Sequence, residues 1–278
     1  MKTPQYHAVQ RATRERIMAN QYRQVGKLGV ILSGAPGQGK TTTLMQIGKE
    51  HELRRRQTSH PAAAKGNIPV VYVAVPAQCT AKALMGEFAR FLGLPAHPRR
   101  TYGELMDTVA NALRRCSTEL ILIDDVHHLD LRYRQNIEAS DMLKQLSERC
   151  GGTFVYAGID VEETGLLSGT REGQIRKRFE VHTAEPYRIL DDEERSDWGD
   201  LLLAIEDSLC LLKQQKGAIL AAALDLHRLS NGEIGVLKDM LQIAAIRAIE
   251  DGVEELDIGE FPRKVAQLQK RAAAQLVG

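Results

Sequence analysis

A chain of 278 residues with 43% apolar and 26% charged side chains has the length of one large domain or two small ones and a globular composition, which excludes wholesale disorder. The net charge is only +1, yet residues 1–118 hold 18 Lys/Arg against 6 Asp/Glu while residues 119–278 hold 19 against 30; the basic part is suited to a polyanion and the acidic part to a basic neighbour. There is no apolar run long enough to span a bilayer, no apolar signal core after Met1-Lys2-Thr3-Pro4-Gln5, and no CxxC pair among cysteines 79, 116, 150 and 210, so a cytoplasmic protein with unpaired thiols and no membrane association is expected.

Residues 8–24, rich in Arg, Gln, Ala and Met without Gly or Pro, predict a polar helix. Leu28–Ser33 (LGVILS) is a short apolar run ending in a glycine-rich turn, the profile of a buried parallel strand. A helix is expected from Lys40 to Arg56, then a breaker-rich loop over 60–69, a strand at Val70–Val75, and helices at Lys82–Leu92 and Tyr102–Arg115 separated by the loop LPAHPRRT. A strand at Leu120–Asp124, a helix over 134–149, a Gly151-Gly152 turn, and strands at Thr153–Gly158 and Phe179–Thr183 follow. Strands alternating with helices predict an α/β fold, a parallel sheet sandwiched by helices. After Pro186 the pattern is helical only, at 192–215, 217–229, 233–251 and 257–275. The chain therefore divides into an N-terminal helical segment (1–27), an α/β core (28–188) and a small helical domain (189–278).

Gly34-Ala35-Pro36-Gly37-Gln38-Gly39-Lys40-Thr41 matches GxxxxGK[ST] between an apolar strand and a helix. Glycines let backbone N–H groups curl around phosphates, and the helix N-terminus adds positive potential. Lys40 is expected to reach the β and γ phosphates of ATP and the Thr41 hydroxyl to ligate Mg²⁺, with Thr42 completing the nucleotide-binding segment. Leu120-Ile121-Leu122-Ile123-Asp124-Asp125 is a buried strand ending in two carboxylates: Asp124 for Mg²⁺ and Asp125 towards the γ-phosphate. Lys40 and Asp124 lie 84 positions apart, and the segment between them holds a complete extra strand, Val70–Val75, a spacing that resembles the P-loop branch in which a strand separates the two motif strands. His127 and His128, with Asp130, offer no i,i+4 pair of metal ligands and are expected to orient their loop; Trp198 reads as packing.

With a helical lid after 188, the chain resembles the AAA+ ATPases, and within them the transposition regulators of the MuB, TnsC and TniB type, through VILSGAPGQGKTTTL, VVYVAVPAQCTAKAL, LILIDDVHHL, FVYAGID, QIRKRFE and SNGEIGVLKDMLQIAA. The resemblance implies an ATPase that binds duplex DNA without sequence preference, assembles as a helical oligomer or ring, and links a target-selection protein to a transposase. It implies an arginine finger acting in trans at Arg178, with Arg176 in reserve. The water-activating Glu of the family is here Asp125, one methylene shorter, which predicts slow hydrolysis. Ile159 and then Asp160 follow the fourth strand where a polar residue is usual, and Val236 falls where relatives place a lid arginine, with Lys238 about 200° further round a helix. DNA contacts are implied at Thr80 and Lys82 and at Arg99, Arg100 and Thr101, and a subunit joint at Arg54-Arg55-Arg56. The alternative is an AAA+ ATPase that remodels protein complexes without touching DNA; such motors favour an aromatic pore loop, and Pro76-Ala77-Gln78-Cys79 has no aromatic residue.

Overall fold

Gly29–Gly34 (β1), Val70–Ala74 (β2), Leu120–Asp124 (β3), Thr153–Gly158 (β4) and Phe179–Ala184 (β5) are short; the first four are mainly apolar, and β5 alternates with Glu180 and His182. They pair in parallel into one sheet in the order β2-β3-β4-β1-β5. β1, β3 and β4 are buried along their whole lengths, as their unbroken apolar runs require. The computed structural model describes residues 3–58, 66–95, 100–129, 134–162 and 178–267, and for 134–141 the backbone alone.

The two-residue side-chain period sorts the sheet onto two cores. Ile31, Val71, Val73, Ile121, Ile123, Phe154 and Tyr156 pack with Ala81–Phe91 (α3), Tyr102–Arg115 (α4) and Arg134–Cys150 (α5). Val30, Leu32, Leu120, Leu122, Val155 and Ala157 pack with Pro4–Gln21 (α1) and Lys40–Thr58 (α2). Each fully buried Leu or Ile contributes about 1.5–3 kcal/mol relative to exposure. The result is a three-layer α/β sandwich.

α1 begins earlier than the pattern predicts, because Pro4 suits the first helical position, where no N–H is needed. Near its end, buried Asn20 donates to Leu28 C=O at 2.8 Å and to Thr153 Oγ1 at 2.9 Å, and accepts from Leu28 N–H at 2.8 Å. One amide thus fastens the helix to the chain leading into β1 and to the start of β4.

The chain forms two compact units, Gln5–Pro36 with Lys40–Ala184, and Glu185–Gly278 grouped with Met1–Pro4 and Gly37–Gly39. The second carries Asp192–Leu209 (α6), a 3-10 turn at Ala218–Ala222, Ala223–Ser230 (α7), Ile234–Glu250 (α8) and a helical stretch over 260–267. Trp198, Leu202, Leu226, Leu237, Leu241 and Phe261 centre its core, and the indole N–H of Trp198 donates to Ala223 C=O at 2.9 Å. The single helix expected over 192–215 stops at Leu209. Cys210 takes a left-handed φ of 53°, and the buried Glu206 carboxylate accepts from the Gln214 amide at 3.1 Å and from Ile219 N–H at 3.0 Å, which holds the chain in a turn.

Candidate nucleotide-binding site and basic loops

β1 ends at Gly34 and α2 begins at Lys40, so five residues turn the chain from strand to helix. Gly37 and Gly39 have φ of +77° and +75°, a left-handed backbone that strains any L side chain. Lys40, 8% exposed, bends back over this loop, its Nζ donating to the carbonyls of Gly34 at 2.8 Å and Ala35 at 2.6 Å. Among the described residues no carboxylate lies at ion-pair distance from it. Burial lowers the affinity of Lys40 for its proton, against the longer-range pull of Asp124, Asp125 and Asp160. A buried ammonium bonded to neutral carbonyls suits an anionic ligand. Gln38, 2% exposed, also leaves its side-chain N and O without partners in the same loop.

Asp124, 1% exposed, closes β3. Its Oδ1 accepts from Asp125 N–H and its Oδ2 from the Tyr72 hydroxyl, each at 3.0 Å. Burial, reinforced by the Asp124 charge, pushes the Tyr72 phenol well above its ordinary range, so it donates. Asp125 has φ of 55°, a left-handed conformation that costs a non-glycine residue roughly 1 kcal/mol and turns the chain sharply into the 3-10 turn Val126–His128. Two histidines tie that turn down: His128 Nδ1–H donates to Val75 C=O at 2.8 Å, and His127 Nδ1 accepts from Ile159 N–H at 3.4 Å. His127 is made less basic by burial and by His128 and Lys40, against the opposing effect of Asp125 and Asp124. Asp130 lies outside the described residues. Asp160, after β4, is exposed with φ of 45°.

The loop after β1, Asp124 and Asp125 after β3, and Asp160 after β4 share the C-terminal edge of the sheet, where open parallel sheets receive ligands. Among the described residues no three His, Cys, Asp or Glu side chains are grouped to cage a metal. The hard oxygens present, the exposed Thr41 hydroxyl and the Asp124 carboxylate, suit an ion such as Mg²⁺, which keeps waters and leans on phosphate oxygens. Thr42 is exposed on the first turn of α2.

Arg178 lies at the opposite end. β5 sets Phe179 beside Gly29 and Ala184 beside Gly34, so Arg178 is about 20 Å from Gly34, taking ~3.3 Å per residue. Its carbonyl accepts from Gly29 N–H at 3.0 Å and its guanidinium lies against Gly26. Arg176 lies outside the described residues, as does Arg99. Thr80 and Thr101 are the N-caps of α3 and α4: Thr80 accepts from Ala83 N–H at 3.2 Å, and Thr101 forms a capping box with Glu104. Lys82 is exposed, and Arg100 donates to Thr108 Oγ1 at 3.3 Å. Of the three consecutive arginines, Arg55 pairs with Glu119 and Arg56 with Glu52, each at 2.6 Å. Val236 and Lys238 are exposed on α8.

Tyr72 is the functional neighbour that sequence reasoning missed. No single segment carries the signal: only the register of two strands, Tyr72 facing Leu122, sets Tyr72 diagonal to Asp124 on the same face, within reach of a long side chain.

The fold resembles several solved structures. The Aeropyrum pernix ORC1 protein in complex with DNA superposes with a TM-score of 0.67 at 14% identity, covering 98% of this chain and 67% of that one. Domain III of the Thermotoga maritima replication initiation protein DnaA gives 0.52 at 18%, covering 90% and 88%. Thermotoga maritima RuvB gives 0.51 at 17%, covering 94% and 69%. The chain thus spans about two thirds of the ORC1 and RuvB chains. With the parallel sheet and the P-loop, these matches make the fold that of the AAA+ P-loop ATPases. A comparison with curated proteins found no match. A family model described as "Bacterial TniB protein" matches residues 3–189.

Proposed function

Since the chain belongs to the TniB family, we propose that it is a cytoplasmic ATP-dependent, DNA-binding regulator of transposition that assembles as a helical oligomer on duplex DNA and links target selection to the transposase. The observation that carries the ATPase reading is the meeting of Lys40, its charge bonded to neutral carbonyls, with Asp124 and Asp125 at one sheet edge. Lys40 and the backbone of 34–39 bind the β and γ phosphates. Thr41 and Asp124 are the residues that would hold Mg²⁺, which neutralises charge across those phosphates when bound. Asp125 orients the attacking water and takes its proton, and its short side chain makes turnover slow.

The family and the AAA+ fold support an assembly, and so does the position of Arg178. About 20 Å from its own phosphate loop, this arginine serves a nucleotide only in a neighbouring copy, so ATP lies at subunit joints. Residues 189–278 act as the lid. Lys82, Arg100 and Thr101 meet the phosphate backbone and carry no base readout.

Electron microscopy of negatively stained protein on duplex DNA tests the reading. Filaments with ATP or a slowly hydrolysed analogue, and none with ADP, are the expected result. Particles indifferent to DNA and nucleotide would replace it with the reading of an ATPase that remodels protein complexes.

A further inference from the structure

The Tyr72 hydroxyl is 3.0 Å from Asp124 Oδ2, while Asp125 N–H holds Oδ1 at 3.0 Å. Each carboxylate oxygen therefore has one donor fixed by the protein, and the plane of the carboxylate is set by two strands at once. Tyr72 sits on β2, the edge strand, and reaches Asp124 on the neighbouring β3 because Ala74 pairs with Asp124 and Tyr72 with Leu122. The ring is itself held by packing with the core between the sheet and α2, and it borders a cleft lined by Met45, Gly48, Phe91 and Leu122. A phenol on a regular strand, anchored by its ring, is a rigid orienting group for a buried carboxylate.

We propose that Tyr72 is a positioning residue that aims the Asp124 carboxylate at the Mg²⁺ of the bound nucleotide. This rests on the reading of Asp124 as the metal-binding carboxylate of an ATP site. An outer partner of a metal-binding carboxylate fixes its orientation, and loss of such partners costs roughly 10- to 100-fold in metal affinity. Y72F removes the hydroxyl and keeps the ring packed on the same core. V70A trims packing on the same strand and face without touching Asp124.

The test is a Mg²⁺ titration of the affinity of a fluorescent ATP analogue, in wild type, Y72F, V70A and D124N, each first shown to unfold cooperatively without nucleotide. Electron paramagnetic resonance of Mn²⁺ in the same complexes gives a second measure. Y72F is expected to need about tenfold more Mg²⁺ for half-maximal effect, with unchanged affinity for the analogue without metal and an altered Mn²⁺ spectrum. V70A is expected to titrate as wild type, and D124N to lose the metal dependence. If D124N loses it and Y72F titrates as wild type, the role of Tyr72 is overturned while the reading of Asp124 stands. An equal shift in V70A and Y72F overturns it too, because strand packing then explains the effect. If D124N keeps the wild-type metal dependence, the Mg²⁺ reading itself fails, and this proposal with it.

Discussion

Lys40 keeps its ammonium 2.6–2.8 Å from two carbonyls inside a loop, a bonding state that gives the charge much less than an anion would. Lys40→Ala should therefore weaken ATP binding by at least roughly 10- to 100-fold, the worth of a charge-assisted hydrogen bond, in a direct calorimetric titration. Unchanged affinity would move the nucleotide elsewhere. Asp125 stands at a different risk, since its left-handed backbone aims the side chain and its short reach limits it. Asp125→Asn keeps the shape and removes the base, so steady-state turnover should fall by roughly 10²-fold with little change in ATP affinity. Turnover equal to wild type would assign water activation to another group, and Asp160, whose charge also acts on Lys40, is the nearest candidate.

At the scale of elements, the joint between α2 and the entry to β3 rests on one carboxylate. Glu119 accepts from His51 Nε2 at 3.0 Å and pairs with Arg55 at 2.6 Å. Burial alone would raise its pKa; the bond from His51 and the Arg55 charge outweigh burial and hold it below the usual carboxylate value. A folded-state pKa below the unfolded one gives stability that is complete above the unfolded value, near pH 4.3, and is lost as pH falls through the folded value. Glu119→Gln should cost about 1 kcal/mol in urea unfolding at neutral pH, and the gap to wild type should close below about pH 4.3. A gap that stays constant down to pH 3 would show that the charge of Glu119 contributes nothing.

This joint was not legible in the sequence, because His51 and Glu119 are 68 residues apart and neither belongs to a motif. What local chemistry dictates was legible: β1 to β4, because each is a short and mainly apolar run, β5, because Phe179, Val181 and Thr183 alternate with polar residues, and the loop at 34–41, because glycine spacing and a following helix leave few alternatives. The stop of α6 at Leu209 was hidden, since the buried Glu206 that makes it receives its bonds from residues 8 and 13 positions later. Tyr72 was hidden for the same reason. Its partner is set by strand register, a property of two segments and not of one.

For the whole molecule, the division of charge matters more than its sum. Two of the basic residues implicated in DNA contact, Lys82 and Arg100, stand at the N-terminal ends of α3 and α4, where the helix dipole also favours phosphate. One copy offers few such contacts. In the proposed nucleotide-bound assembly they would repeat along one duplex, and repetition turns weak contacts into avidity. Each phosphate neutralised contributes roughly −0.9 to the slope of log K against log salt, so binding in ATP should weaken steeply between 50 and 200 mM salt. Replacing Lys82 and Arg100 together by Ala should lower affinity for every duplex sequence alike and flatten that slope, with ATP affinity intact. Thr101→Ala is the poorer probe: its hydroxyl closes the capping box with Glu104, so its loss costs α4 about 1 kcal/mol whether or not DNA is present. Fluorescence anisotropy with two unrelated duplexes over a salt series decides the matter. A double variant that binds as tightly as wild type, with the same slope, would show that these loops are solvated surface and that the polyanion meets another part of the basic half.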